Sequence, residues 1–377
     1  NIATGLTNTD WDATNFDISG PALILTNGTD TPRYWNGSTL TQITNMPKGK
    51  YVTADNRRVY TAGVSGNEDV IYYSAFQDAT DWTSPQNSGA VQFYTANGGP
   101  ITGLYAYAGQ VWAFKRDSYC VIFHTGDARV THRLVEGSNN IGCVSYKTIK
   151  EVGDYLFWLG ESEVYVAAGG QARSIGHPIR KFLDNINKSA VENACAFVDG
   201  ERYYLCIPTG SNTQPDTCLV YDIVFERWLP YSVNLPGIRF GAYINNVAYT
   251  GDENGQTWRM NDGTTDAGTP IPWRVQSRPF DDGMKEAEKE LWEMHLQGLF
   301  PSGTTLTVEI APDDIGSMWH TISYDPNTPS NATQNRNLIV PLDTVPLCHF
   351  YTYRLSGTGP VTIQEVQRYS RIQPVQY

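Results

Sequence analysis

A short apolar, often aromatic run recurs six times along this 377-residue chain at nearly constant spacing. The runs are Ala22-Leu23-Ile24-Leu25, Val59-Tyr60-Thr61-Ala62, Val111-Trp112-Ala113-Phe114, Tyr155-Leu156-Phe157-Trp158, Tyr203-Tyr204-Leu205-Cys206 and Val247-Ala248-Tyr249-Thr250, starting 37, 52, 44, 48 and 44 residues apart. Before them stand Ser19-Gly20, Asp55-Asn56, Ala108-Gly109, Gly153-Asp154, Asp199-Gly200 and Asn245-Asn246. Several of these types tolerate the positive φ of a tight hairpin, so each pair reads as the link from a first to a second strand.

A third strand follows in turn, as in Val70–Tyr73, Tyr119–Phe123, Val164–Val166, Cys218–Tyr221 and Thr257–Met260. A sheet of three or four such strands cannot bury both faces alone, and a period of roughly 40–50 residues marks sheets that stack around a common axis. The expected fold is all-β: a β-propeller over residues 1–265, six-bladed with five or seven left open, followed by a β-sandwich of jelly-roll type over 266–377. The repeat ends where Thr, Gly, Asp and Pro cluster at 263–272. Beyond it, strands are expected at Leu291–Leu299, Thr305–Ala311, Trp319–Ser323, Leu338–Leu342, Phe350–Ser356 and Val361–Val366, with a loop over Asp325–Asn337.

Two segments point elsewhere. Ile179, Phe182, Leu183 and Ile186, behind His177-Pro178, have helical spacing and predict a helix. Lys285–Glu290 is compatible with a helical turn, but Trp292, Met294 and Leu296 alternate with Glu293, His295 and Gln297, which predicts a half-buried strand.

Aromatics make up 12% of the chain and charged residues 18%, a mix that suits turn-rich β structure. Net charge is −12 with no Lys/Arg run, which argues against a surface that grips nucleic acid. The six cysteines, Cys120, Cys143, Cys195, Cys206, Cys218 and Cys348, show no C-x-x-C spacing and read as reduced, buried small hydrophobes, favouring assembly in a reducing cytosol. No apolar run approaches the ~20 residues that cross a bilayer, and Asn1-Ile2-Ala3-Thr4 does not read as a signal peptide.

Chemistry is faint by comparison. Gly63-Val64-Ser65-Gly66-Asn67 misses the last glycine of an esterase elbow. His124, His132, His177, His295, His320 and His349 lack metal-ligand spacing. Asp252-Glu253-Asn254-Gly255 and Asp281-Asp282-Gly283 set oxygen ligands beside glycine, but read as turns that cap their own backbone. Ser74–Trp82 falls short of the Ser-x-Asp-x-Gly-x-x-Trp signature of sialidase blades; Asp81-Trp82 and Arg227-Trp228 read instead as blade closures, each indole filling a gap between sheets. Glu151, Asp154, Glu161 and Glu163 are the carboxylates whose convergence would permit glycoside hydrolysis. The reading therefore assigns no catalytic, cofactor-binding or metal residue and no cofactor.

Asn97-Gly98-Gly99-Pro100-Ile101-Thr102-Gly103-Leu104 running into Val111–Ser118, Ile141-Gly142-Cys143-Val144-Ser145 leading to Val152–Trp158, Ile175–Arg180, and Val220-Tyr221-Asp222 with Arg227-Trp228 resemble the propeller proteins encoded among head-to-tail genes of tailed bacteriophages. The resemblance spans roughly residues 45–300 and is closest in kind to the tail nozzle or hub of short-tailed phages. It implies a non-enzymatic virion component, assembled in the host cytoplasm, in which a homo-oligomeric ring, six propellers in the nozzle, forms a tube below portal and adaptor. Genomic duplex DNA would pass through without sequence-specific binding, and an acidic lumen would repel its phosphates. The alternatives carried with this reading are a glycan-binding or glycan-hydrolysing, sialidase-like propeller and a cellular interaction scaffold.

Overall fold

The computed structural model describes residues 4–374 apart from 86, 96–97, 128–129, 232–236, 267, 302, 314–319 and 325–334. The chain divides into two compact units, Asn1–Asn261 and Asp262–Tyr377.

The first unit is a propeller of six antiparallel sheets, five of four strands and a sixth of three, each built in chain order from one edge to the other. Sheet 1 holds Asp12–Asp17, Pro21–Thr26, Arg33–Trp35 and Leu40–Gln42; sheet 2 holds Tyr51–Asp55, Arg58–Val64, Asn67–Tyr73 and Gly89–Gln92. Sheet 3 holds Ile101–Tyr107, Gln110–Lys115, Tyr119–His124 and His132–Ser138; sheet 4 holds Lys150–Val152, Tyr155–Leu159, Val164–Ala167 and Arg173–Ser174. Sheet 5 holds Cys195–Asp199, Arg202–Ile207, Thr217–Asp222 and Arg227–Tyr231, and sheet 6 holds Ile238–Ile244, Val247–Asp252 and Thr257–Arg259. All six recurrent runs are second strands.

Their entry turns use the left-handed backbone: Ala108 and Gly109 have φ 53° and 71°, and Asn245 and Asn246 have φ 51° and 62°. Two turns lie one residue later than the sequence suggests. Asp55 pairs with Arg58, so the positive φ falls on Asn56 and Arg57, and Asp199 pairs with Arg202 around Gly200-Glu201.

First strands of neighbouring sheets touch in pairs, sheet 1 with 2, 2 with 3, 4 with 5 and 5 with 6, so these strands surround the axis. The helical turn Tyr146–Thr148 bridges the first strands of sheets 3 and 5. Apolar clusters close five seams. Ile24, Val52 and Val59 join sheets 1 and 2; Tyr60, Ile71, Leu104 and Val111 join 2 and 3; Trp112, Phe114 and Trp158 join 3 and 4. Phe157, Leu159, Tyr203 and Leu205 join 4 and 5, and Phe197, Tyr204, Ile238 and Ala248 join 5 and 6.

The expected closures are present. Trp82 packs on the first cluster and donates its indole N–H to the Ala79 carbonyl at 2.7 Å; Trp228 packs on the fourth and donates to the Ile175 carbonyl at 2.7 Å. All six cysteines are buried free thiols, and Cys195, Cys206 and Cys218 stand in register on adjacent strands of sheet 5.

The helix behind His177 is shorter than its spacing suggests: a 3-10 turn, His177–Ile179, leads into one α-turn, Arg180–Leu183. Ile179, Leu183 and Ile186 are buried, whereas Phe182 is 37% exposed. Three anchors are enough to tie a single turn to the core, and so short a segment has no further helical face to bury.

The second unit is a β-sandwich. Strands Pro272–Gln276, Tyr351–Thr358, Leu306–Pro312 and His320–Tyr324 form one sheet, and Asn335–Pro341, Lys289–Leu299 and Thr362–Ile372 form the other. Leu291, Met294, Leu296 and Val340 of one sheet and Val308, Ile310 and Leu355 of the other share a single apolar cluster. Residues 285–287 form a turn without helix. Trp292 is 52% exposed, against its expected inward position, because pairing with the last strand skips from Leu291 to Glu293. That bulge turns Trp292 outward while Leu291 and Met294 stay in. Residues 325–334 of the expected loop lie outside the described residues, and Asn335 already begins a strand.

Candidate functional site at the propeller axis

Where six first strands meet, the axis is crossed by side chains. Lys147, in the turn before sheet 4, places Nζ 2.5 Å from Asp10 Oδ2 on the segment entering sheet 1, three positions away around the ring. Lys150 opens the first strand of sheet 4 and donates to the Gly241 carbonyl of sheet 6 at 3.3 Å. Asp12 opens sheet 1 and accepts from the Val52 N–H of sheet 2 at 2.8 Å and from its neighbour Ala13 at 3.0 Å. Tyr51 and Tyr146 meet edge to face, centroids 5.1 Å apart.

The titrating groups respond to this crowding. Burial raises the Asp12 carboxyl to about 7 against the pull of its amide donors and Lys150, and burial also lowers the Lys150 ammonium. Burial likewise pushes the Tyr51 and Tyr146 phenols up. The arrangement ties sheets 1, 2, 4 and 6 together across the axis and leaves no bore of duplex width. These residues carry no motif; they meet only because the fold brings together positions as distant as 10 and 147.

The four carboxylates considered for glycoside hydrolysis do not converge. Glu151 and Asp154 flank the first hairpin of sheet 4, and burial, then Asp154, raises Glu151. Glu161 and Glu163 lie past the far end of Tyr155–Leu159, on the order of 20 Å away at ~3.3 Å per residue. There Glu161 pairs with Arg116 at 2.7 Å and Glu163 with Arg180 at 2.8 Å.

The turn aspartates have protein partners. Asp252 accepts from the backbone N–H groups of Asn254 and Gln256 and from the Trp258 indole, at 2.8 to 2.9 Å. Asp281 accepts from Gly283 N–H at 3.1 Å. Gly63–Asn67 is the hairpin between the second and third strands of sheet 2. His132 lies buried in the seam of sheets 2 and 3, its Nε2 3.0 Å from the Tyr60 hydroxyl, and burial lowers it to about 4.

The segments that carry the phage resemblance are junctions. Thr102 Oγ1 donates to the Cys143 carbonyl at 2.7 Å, Cys143 N–H to the Lys115 carbonyl at 2.9 Å and the Trp158 indole to the Gly142 carbonyl at 3.1 Å. Residue 142 must be glycine here, since a Cβ would sit 2.3 Å from the Lys115 carbonyl oxygen. Thus Ile141–Ser145 wedges sheet 3 to sheet 4. Asn97 lies outside the described residues.

No protein-family model matches the sequence, and no curated protein matches it. Among solved structures, the chain is similar to Kluyveromyces lactis Hsv2, with 8% identity, 70% of this chain and 78% of that one covered, and a TM-score of 0.40. It is similar to BamB from Moraxella catarrhalis, with 10% identity, coverage of 67% and 83%, and a TM-score of 0.37. Likenesses this weak say nothing about function; the propeller stands on its own six sheets.

Proposed function

We propose that this chain is a structural component of a tailed-phage tail, a nozzle- or hub-type subunit whose copies form a ring around the DNA exit channel below portal and adaptor. The observation that carries the reading is the side-chain-crossed axis. A propeller braced by Lys147–Asp10 and Lys150–Gly241 cannot thread DNA through itself, so any duplex-sized channel lies between copies. The wedge Ile141–Ser145 supports it too, because the resembling residues serve sheet-to-sheet bracing. With a net charge of −12, the surface facing such a channel would let phosphates slide past.

The test is the assembly state of the purified chain with and without portal and adaptor proteins, by mass measurement and electron microscopy. A closed ring, expected to be hexameric, that docks on those partners and has an acidic lining is the result the reading requires. A monomer that ignores them and binds or cleaves a saccharide would replace it with the glycan-directed alternative. That second reading draws on one feature, the groove of about 490 Å³ beside Glu68, Asp69 and Tyr94, where the Tyr94 ring is 80% exposed.

A further inference from the structure

We propose that the sandwich carries a binding site for a small oxyanion, a phosphate monoester or a carboxylate on a compact organic body, in the cavity between residues 278–285 and His349-Phe350. The cavity measures about 470 Å³ and is lined by Arg278, Phe280, Asp281, Lys285, His349 and Phe350.

Its walls are held by a buried cation. Lys289 is 0% exposed, and its ammonium donates to the carbonyls of Met284, of Ala287 at 2.8 Å and of His349 at 2.5 Å. One side chain thereby fastens the 284–287 turn to the strand entry opposite, and its acceptors are neutral carbonyls, so its charge is not cancelled by a bonded carboxylate. Phe280 is fixed from the same side: it exchanges backbone hydrogen bonds with Tyr351 at 2.9 and 3.0 Å, and the Arg368 guanidinium lies 3.5 Å over its ring.

Acidic groups nearby already have partners. Asp281 accepts from Gly283 N–H; Asp282 accepts from Ser370 at 2.8 Å and from Arg368 at 3.3 Å; Asp313 accepts from the N–H groups of His349 and Phe350 at 2.7 and 2.9 Å. Among the described residues, Arg278 and Lys285 have no ion-pair partner. Two cations without an ion-pair partner, Arg278 lying 5.6 Å from the Phe280 ring centroid, together with a buried third and two phenylalanine rings, fit a charged oxygen fork attached to a small apolar body. A long polyanion fits poorly, since the chain as a whole has a net charge of −12.

The test is a calorimetric titration of the full chain at fixed ionic strength with inorganic phosphate, with benzoate and with a twelve-base-pair duplex. Saturable binding of phosphate or benzoate, weakened at least tenfold in both Arg278→Ala and Lys285→Ala with unchanged circular dichroism and melting temperature, is expected. Which anion binds distinguishes phosphate ester from carboxylate. Absence of saturable binding by both anions, affinity unchanged in the two variants, or an Arg278-dependent preference for the duplex would overturn the proposal. None of these outcomes bears on ring assembly, so the site and the virion reading fail separately.

Discussion

Between sheets 4 and 5 the seam is filled by Phe157, Leu159, Tyr203 and Leu205, all essentially buried, whereas between sheets 6 and 1 no buried apolar cluster is found among the described residues. Phe240 and Ile244 on sheet 6 stay exposed, and Leu23 and Leu25 on sheet 1 are half-buried. Polar ties at the axis reach both sheets from elsewhere: Lys147 to Asp10 joins sheet 4 to sheet 1, Lys150 to Gly241 joins sheet 4 to sheet 6, and Asp12 to Val52 joins sheet 1 to sheet 2. The contrast teaches that one fold closes its ring by two different physics. Five seams are packed with buried apolar side chains, while sheets 6 and 1 are linked through sheet 4 by a few directional contacts that titrate and feel salt.

The strongest way to break this comparison is Leu205→Ala. Removing a buried side chain from a filled seam is expected to cost about 2–5 kcal/mol in denaturant unfolding; a loss near zero would mean that the packed seams are no tighter than the open one. Next in size, Lys150→Met should speed backbone amide exchange in sheets 4 and 6 about tenfold and leave sheets 2 and 3 unchanged. Uniform protection in the variant would show that the axial tie holds nothing.

The pH response sharpens the same contrast, because two buried groups titrate in opposite senses. Asp12, raised from 3.8 to about 7, keeps its proton in the folded state where the unfolded carboxyl has lost it, so its contribution to stability declines as pH climbs from about 4 to about 7. Asp12→Asn should remove that decline, read as melting temperature against pH, and match the parent protein near pH 4. His132, lowered from 6.5 to about 4, works the other way, and its contribution is lost as pH falls across that range. His132→Gln should flatten the acid limb. The smallest effect belongs to Phe240→Ser, within about 0.5 kcal/mol in the same unfolding measurement; a loss of ~2 kcal/mol would reveal a packed sixth seam.

Much of the propeller was readable because its second strands are aromatic and sit behind turns that need positive φ. Asn245-Asn246 before Val247 is legible from residue chemistry alone. First and fourth strands are harder: Lys150–Val152 and Arg173–Ser174 are too short to show a period. Trp292 misled because alternation cannot announce a bulge, and Phe182 because four well-spaced apolar residues do not fix a helix's length. The axial residues were not legible at all. Asp10, Asp12, Lys147 and Lys150 look like ordinary surface charges, and only ring closure makes them neighbours. For the pocket of the sandwich, Lys285 and Lys289 were visible as a charged stretch, but their different fates, one free at the rim and one sealed beneath, depend on a turn that sequence does not specify.

Lys147 and Asp10 join stretches 137 residues apart, and the acid's side chain remains 52% accessible to water. A link open to solvent on one side is weakened by dissolved ions, whose screening reaches ~8–10 Å at ordinary salt. This spoke of the wheel should therefore slacken in brine while the oily joints between the other sheets tighten. Stiffness across the hub becomes a quantity that the surrounding medium can tune without altering a single residue.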